Sequence, residues 1–448
     1  MKILLRKIWR FILQPQKIQA LFGKIVFTSR VSGWRGVWFA GQKYLRAQWH
    51  ALRGIDTEKN FLIRQQIDEI LSALQPVKDG VIFISHDASA TGAPITLLNQ
   101  CKAYKQVYGN NLLIVLMTGG EIVENFRAVA PVIDLHQDLT DIIVDENVHH
   151  VFSRLKQLGY SRCIANTVGS GALQKIFSRN NLDVIYEVHE LLQTIQHRGW
   201  GSYAKNIARS GSIVIFPAHY VANKFISQFK LPAEYVRILP QGVSLIYEGG
   251  KSLAREKLLD QLGLSSLSDV KIILGAGFAY HRKGTDLFCE VAAEFHKKQR
   301  LNVHFIWLGH RDQYFEHWIT QILPELPYKK NIHFWDFDPQ PAHIFAGADV
   351  FLLTSREDPF PSVALEALAN DTPVITFKDT GGIEEILDGT NGVVVEHLNV
   401  EMMAEAAWKI LQNPQGLRAS STKLQTYPEF IKSLIALFPN HKDGKQPA

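Results

Sequence analysis

Asp358 and Glu366, two carboxylates eight positions apart, are the residues whose type and spacing best suit chemistry. They stand in the stretch Ser355-Arg356-Glu357-Asp358-Pro359-Phe360-Pro361-Ser362-Val363-Ala364-Leu365-Glu366, between apolar runs at 348–353 and 373–377. Apolar run, loop, helix, apolar run is the rhythm of a parallel α/β sheet. In such sheets ligands bind at the carboxyl ends of the strands, which is where Asp358 falls. Pro361 suits the first turn of the helix, where its missing N–H costs nothing. Glu366 lies inside that helix, and its side chain leans back toward the helix start. The start offers free N–H groups and the positive end of the dipole to a phosphate. The combination suits a sugar nucleotide, with diphosphate on the helix end and carboxylates toward hydroxyls. An amphipathic helix behind an ordinary acidic loop is the plainer reading of this stretch taken alone.

The elements that must position these groups come from a chain of 448 residues, long enough for two domains and extensions. Apolar residues make up 46% and charged residues 20%, a globular balance. Cys101, Cys163 and Cys289 are far apart and form neither a CxxC pair nor a zinc spacing, so free thiols in a reducing, cytoplasmic setting are expected. The net charge of +5 is concentrated at one end: residues 1–54 carry eleven Lys or Arg and no acid, leaving 37 basic against 43 acidic residues beyond. A mildly acidic body argues against nucleic acid as a partner. The first 54 residues also carry aromatic side chains, among them Trp9, Trp34, Trp38 and Trp49. Basic and aromatic residues together fit an anionic membrane surface, and no apolar run there is long enough to span. A helical extension with solvated Lys and Arg is the alternative.

A helix is expected over 57–76. The run Gly80-Val81-Ile82-Phe83-Ile84-Ser85 reads as a buried strand, followed by a loop of small residues containing Gly92. Glycine there lets the backbone approach a ligand. A helix over 94–108 and a strand over 112–117 complete a βαβ unit. Strands at 132–134, 162–165, 184–188, 213–217 and 236–239 continue the pattern, with His189 just past one of them. Pro240-Gln241-Gly242-Val243 reads as a hinge. A second α/β set follows: strands at 271–277, 303–308, 332–335, 350–353, 374–376 and 393–395 alternate with helices, and a last helix covers 427–437. Asp336-Phe337-Asp338 reads as a loop near a nucleotide base or as a helix cap rather than a metal site. The domains expected are a helical extension over 1–76, Rossmann-like domains over 77–242 and 243–424, and a terminal helix and tail over 425–448.

On these motifs the chain resembles the family-4 retaining glycosyltransferases, of the glycosyl transferases group 1. Asp358 and Glu366 resemble the family's two acids separated by seven residues, with an aspartate where a glutamate is usual; Glu357 is the fallback for the first acid. Pro240-Gln241-Gly242-Val243 is similar to the family's linker, Val188-His189-Glu190 to its site histidine, and the Gly92 loop to its first loop. Lys283 occupies the family's lysine position, whereas Phe278 stands where an arginine is usual; Arg282 is the candidate for a second positive charge.

The resemblance implies the α/β GT-B fold, two Rossmann-like domains facing across a cleft, and transfer of a sugar from a nucleoside-diphosphate sugar to a hydroxyl acceptor with retention. It implies Glu366 on the ribose, Asp358 (or Glu357) and His189 at the sugar, and Lys283, Arg282, Gly92, Phe360, Pro361, Ser362 and Val363 around the donor. It implies no cofactor and no metal. A carbohydrate or lipid-linked glycan acceptor of cell-surface polysaccharide assembly is expected, with the protein cytoplasmic and peripheral at the membrane. A catalytically weak binding or scaffold homologue and a sugar-nucleotide epimerase are the rival readings.

Overall fold

A computed structural model describes residues 57–439, except 136–145, 244–245, 265–268, 301, 339, 414–415, 418 and 420–423. The basic, aromatic segment 1–54 lies outside the described residues. The chain forms two compact units. Within the described residues, one comprises 57–215, 224–237 and 434–439, and the other 216–223 and 238–433.

The first unit is built on strands β1 (Gly80–Ser85), β2 (Leu112–Leu116), β3 (Val132–Asp134), β4 (Tyr160–Asn166), β5 (Asp183–Glu187), β6 (Ile213–Phe216) and β7 (Val236–Ile238), in the order β3-β2-β1-β4-β5-β6-β7. β1 runs parallel to β2 and β4. Every residue of β1 is buried, as expected for a parallel strand covered on both faces. Helix α1 (Gly92–Tyr108) joins β1 to β2. It starts two residues before the expected position, so Gly92 is its first residue rather than part of the loop.

In the second unit, β8 (Lys271–Ala276), β9 (Val303–Leu308), β10 (Ile332–Trp335), β11 (Val350–Leu353), β12 (Val374–Phe377) and β13 (Gly392–Val395) lie in the order β10-β9-β8-β11-β12-β13. The registers β8–β9, β9–β10, β8–β11, β11–β12 and β12–β13 are all parallel. Helices α2 (Gly250–Gln261), α4 (Ala342–Gly347) and α5 (Ser362–Ala369) cover one face of this sheet, and α3 (Thr285–Lys297) and α6 (Val400–Gln412) the other. On the α3/α6 face, Phe288, Phe295, Phe305, Trp307 and Phe377 pack with Met403 and Ala407. On the other face Leu258, Leu274, Phe345, Phe351, Leu365 and Leu368 share a core. Burying a side chain of this size contributes about 1.5–3 kcal/mol, and these two layers hold the strand ends rigid.

In both sheets the strand order reverses at one point, between β1 and β4 and between β8 and β11. Connections leave in opposite directions there, and the carboxyl ends open a crevice where ligands bind in doubly wound sheets.

Candidate active site

The reversal point of the second unit gathers several of the expected residues. β8 runs into Gly277, which has φ +132°, and then into extended backbone at Tyr280 and a tight turn, His281–Lys283. Gly284 closes that turn with φ +67°, and a Cβ there would lie 1.9 Å from the Thr354 carbonyl oxygen. Only glycine combines this conformation with this approach. The close contact brings the turn against the end of β11, and Lys283 forms an ion pair with Asp358 although 75 positions separate them. Both partners are largely buried, with side-chain exposures of 16% and 9%. The Ser355 hydroxyl also donates to Asp358, at 3.4 Å. The Asp358 N–H donates to the Thr380 carbonyl at 2.8 Å, which ties the 355–361 loop to the segment after β12.

Two expectations on this loop are revised. Pro361 does not lie in the first helical turn; it flanks the helix with ψ 115°, and α5 begins at Ser362. Its ring has no N–H to lose in either position, but the β-region backbone makes it the helix's cap residue. Phe360, expected at the donor, is 7% exposed and belongs to the apolar core with Leu365 and Ile383. Its large ring gains more from burial than a polar site would offer it. The Ser362 hydroxyl accepts from the Gln241 side-chain amide at 2.6 Å, linking the helix start to the Pro240-Gln241-Gly242 segment. Val363 packs partly against the core, and Glu366 is a partly buried carboxyl whose pKa burial raises from 4.5 to about 7.

Arg282 donates from Nε to the Tyr280 hydroxyl at 2.6 Å and from Nη1 to the Glu357 carbonyl at 2.5 Å. Burial would lower the Arg282 pKa, but the Asp358 and Glu357 carboxylates also act on it, and their negative charge raises it. Phe278 is 49% exposed and packs edge-on to Tyr280 at 5.7 Å. Tyr280 was not singled out in the sequence. The signal available is its place two residues before Arg282, at the start of the His281–Lys283 turn. Asp336, Phe337 and Asp338 follow β10 and line a cavity of about 360 Å³ with Trp335 and Gln261. Asp336 pairs with Arg311 at 3.0 Å, and Asp338 accepts from the Gln340 N–H at 2.7 Å. Among the described residues no group of three or more His, Cys, Asp or Glu is arranged to hold a metal ion.

At the carboxyl ends of β1, β4 and β5 the first unit has its own polar cluster. His86 shares a hydrogen bond with the Thr167 hydroxyl at 3.1 Å and lies 3.2 Å from the Asp87 carboxylate. Burial would raise the Asp87 pKa, but His86 and the Ser89 donors outweigh it and bring it down to about 2. Thr167 has φ +72°, a conformation a β-branched residue adopts only when its surroundings enforce it. His189 is held neutral, its pKa lowered to about 4 by burial and by the neighbouring His86, and its Nε2 is buried without a hydrogen-bond partner among the described residues. Glu190 accepts from the Val168 N–H at 3.0 Å. Glu187, not singled out in the sequence, accepts from the Gln100 amide at 2.9 Å; burial raises its pKa to about 8. Gly92 itself is unconstrained: a Cβ there would meet nothing within 4 Å.

A doubly wound parallel domain with a lysine, a buried acid and a helix start at its reversal point belongs to the class that holds phosphate-bearing ligands at the strand ends. Residues 263–425, within the second unit, match the model of the family described as "Glycosyl transferases group 1". The glycogen synthase of Geobacillus thermodenitrificans is 29% identical over 147 residues, 33% of this chain and 29% of that protein. The lipopolysaccharide core biosynthesis glycosyltransferase LpsE of Rhizobium meliloti is 27% identical over 159 residues, 34% of this chain and 43% of that one. The chain thus spans less than half the length of these relatives. Among solved structures, Anabaena Alr3699/HepE in complex with UDP and glucose aligns with a TM-score of 0.65 at 17% identity, covering 80% of this chain and 98% of that one. WaaG, a glycosyltransferase involved in lipopolysaccharide biosynthesis, aligns at 0.58 and 16% identity, covering 80% and 95%. At these identities the likeness establishes the fold, which is GT-B.

Proposed function

We propose that the protein is a retaining glycosyltransferase that moves a sugar from a nucleoside-diphosphate sugar to a hydroxyl of a glycan or lipid-linked acceptor in polysaccharide or glycolipid assembly. The observation that carries this reading is the meeting of Lys283 and Asp358 at the β8/β11 reversal point, beside the start of α5, within the residues that match the group 1 glycosyltransferase model. The UDP and glucose bound to Alr3699/HepE and the lipopolysaccharide role of LpsE support the donor and acceptor classes.

In this reading the leaving diphosphate, whose charge grows as the glycosidic bond breaks, is stabilised by Lys283, Arg282 and the N–H groups at the start of α5. The ribose hydroxyls donate to Glu366. Asp358 faces the positive charge that develops at the anomeric carbon, and Lys283 keeps its carboxylate oriented until the diphosphate competes for the lysine. His189, neutral at pH 7, is suited to hydrogen-bond a sugar hydroxyl. The cavity beside Trp335 and Phe337 has room and an aromatic wall for the nucleotide base. No metal or cofactor is assigned a part. The basic, aromatic segment 1–54 is proposed to bring the protein to an anionic membrane surface. Among the described residues no helix is long and apolar enough to cross a membrane.

A screen of UDP-, GDP-, ADP- and dTDP-sugars by thermal shift tests the donor: a true ligand at 100 times its Kd stabilises by about 2.7 kcal/mol. Product analysis by NMR then reads the anomeric configuration. No stabilisation by any donor, or an inverted product, refutes the proposal. The Lys283–Asp358 pair and Phe278 favour one second reading, a weakly active binding homologue; it is selected if donors bind and neither transfer nor hydrolysis occurs. Deleting residues 1–54 is expected to release the protein from anionic vesicles, and unchanged binding refutes the membrane role.

A further inference from the structure

Four buried polar side chains meet at the carboxyl ends of β1, β4 and β5, beneath helix α1. Ser85, Asn166 and Glu187 are the last residues of those three strands. Asn166 is the register partner of Glu187, and Ile84 that of Ala165, which sets Ser85 beside Asn166. Register partners on parallel strands project to one face, about 4.8 Å apart. That face is the one α1 covers. Phe83, two residues before Ser85, packs edge-on against Tyr104 of α1 at 5.4 Å, and the Asn166 amide donates to the Ala93 carbonyl at 2.9 Å. Gln100, one helical turn before Tyr104, donates its amide to Glu187 Oε1 at 2.9 Å. Ser85, Gln100, Asn166 and Glu187 are all fully buried.

Each of the four keeps one oxygen without a hydrogen-bond partner among the described residues: Ser85 Oγ, Gln100 Oε1, Asn166 Oδ1 and Glu187 Oε2. A buried polar atom left unpaired is destabilising, so four in one layer call for a shared partner. Both amides already donate, to Glu187 and to Ala93, and the oxygens that remain to them are acceptors. The Ser85 hydroxyl is a donor. Glu187 is a second donor when protonated, and burial raises its pKa from 4.5 to about 8 although the Gln100 amide opposes the shift. The titratable neighbour on α1 is Cys101, a thiol whose pKa burial and Glu187 push well above its usual value; it brings no positive charge. Two donors and two acceptors in one layer are the complement of a single water.

We propose that Ser85, Gln100, Asn166 and Glu187 form a binding site for one water molecule. The water accepts from the Ser85 hydroxyl and the neutral Glu187 carboxyl, and it donates to the Gln100 and Asn166 amide oxygens. All four oxygens then have a partner. These bonds tie the ends of β1, β4 and β5 to α1 at the reversal point of the first sheet, and with the Asn166–Ala93 bond they fix the start of that helix. A monovalent cation is the competing occupant, because oxygens are its ligands, but it requires the carboxylate to be ionised.

The test is a crystal structure of the full chain near pH 6, with a second crystal soaked in a thallium(I) salt. One density peak is expected within about 3.2 Å of all four oxygens, with no anomalous signal there from thallium. An anomalous peak assigns the site to a cation and overturns the proposal. So does a site in which fewer than three of the four oxygens share one peak. In solution, infrared difference spectra of wild type against Glu187→Gln at pH 6 are expected to show a protonated carboxyl band that the variant lacks; no such band means an ionised Glu187 and overturns the proposal. Magnetic relaxation dispersion of water then counts long-lived internal waters. Glu187→Gln keeps the wild-type count, because a glutamine amide donates where the carboxyl hydroxyl did. Ser85→Val, whose methyl groups take the water's place, lowers the count by one, and an unchanged count overturns the proposal. The wild-type crystal and the infrared band decide the case if Ser85→Val does not fold. None of these outcomes bears on the nucleotide-sugar reading.

Discussion

Replacing Glu366 by glutamine separates what a buried carboxyl costs the fold from what it contributes to the site. Burial raises the pKa of this carboxyl from 4.5 to about 7. At about 1.36 kcal/mol per pKa unit, ionising it within the fold costs at most about 3.4 kcal/mol relative to the unfolded chain. The folded state holds the proton more tightly. Its contribution to stability is therefore greatest below the unfolded value near pH 4.5, and is lost as the pH rises through about 7. Glutamine keeps the shape and cannot ionise. The stability of Glu366→Gln relative to wild type should thus grow between pH 5 and 8 by about 1–3 kcal/mol, read by urea unfolding at intervals across that range. For a unit of this size that corresponds to about 2–4 °C in Tm per kcal/mol. Ligand binding should run the other way. The ionised carboxylate is the better acceptor for ribose hydroxyls, so wild-type affinity for a nucleoside diphosphate rises from pH 6 to 8. The glutamine variant binds about tenfold or more weakly, the size of one lost charge-assisted hydrogen bond, and lacks the carboxyl's part of the pH dependence. A stability difference independent of pH would refute the buried-carboxyl argument. Undiminished binding by the variant would refute the ribose role.

Other perturbations have distinct signatures. Lys283→Met leaves Asp358 buried without its cation and should destabilise the second unit by about 3–5 kcal/mol, with Lys283→Met/Asp358→Leu recovering part of the loss in chemical denaturation; a single variant as stable as wild type refutes the pairing. Gly284→Val forces a β-branched side chain at φ +67° into the Thr354 carbonyl and should lower Tm and donor affinity together, by about 2 kcal/mol or more in stability; an unchanged Tm refutes it. Glu187→Gln should match wild type near pH 4.5 and gain on it in stability as the pH rises from there to about 8, because a folded-state pKa raised from 4.5 to about 8 means the wild-type contribution is lost progressively across that range; a stability difference that does not change between pH 4.5 and 8 refutes the burial argument.

Much of the fold was legible because its signals are local. β2 and β11 fall where their runs of Leu, Ile, Val and Phe lie, and every residue of each is buried. A parallel strand buried on both faces must be apolar throughout, so its length is written in composition. Phe360 was misassigned for a related reason: an aromatic in a loop of prolines beside an acid looks like a ligand contact. Only the packing of α5 shows that its ring belongs to the core. Pro361 was placed one step too far into the helix because proline suits both the cap and the first turn.

By itself the sequence determined the parallel α/β class, the succession of strands and helices, and the placement of Asp358 and Glu366 around one helix start. All of these follow from hydrophobic period and from residue types within a few positions of one another. What only the tertiary structure decided is which charges meet. Lys283 and Asp358 pair across 75 positions, Arg356 is neutralised by Asp286 across 70, and Arg282 hydrogen-bonds the Tyr280 hydroxyl and the Glu357 carbonyl within the field of Asp358. Strand order brings these residues together, and strand order is not encoded in local pattern. Nor are the raised pKa values of Glu187 and Glu366, because desolvation depends on what the rest of the chain packs around a carboxyl.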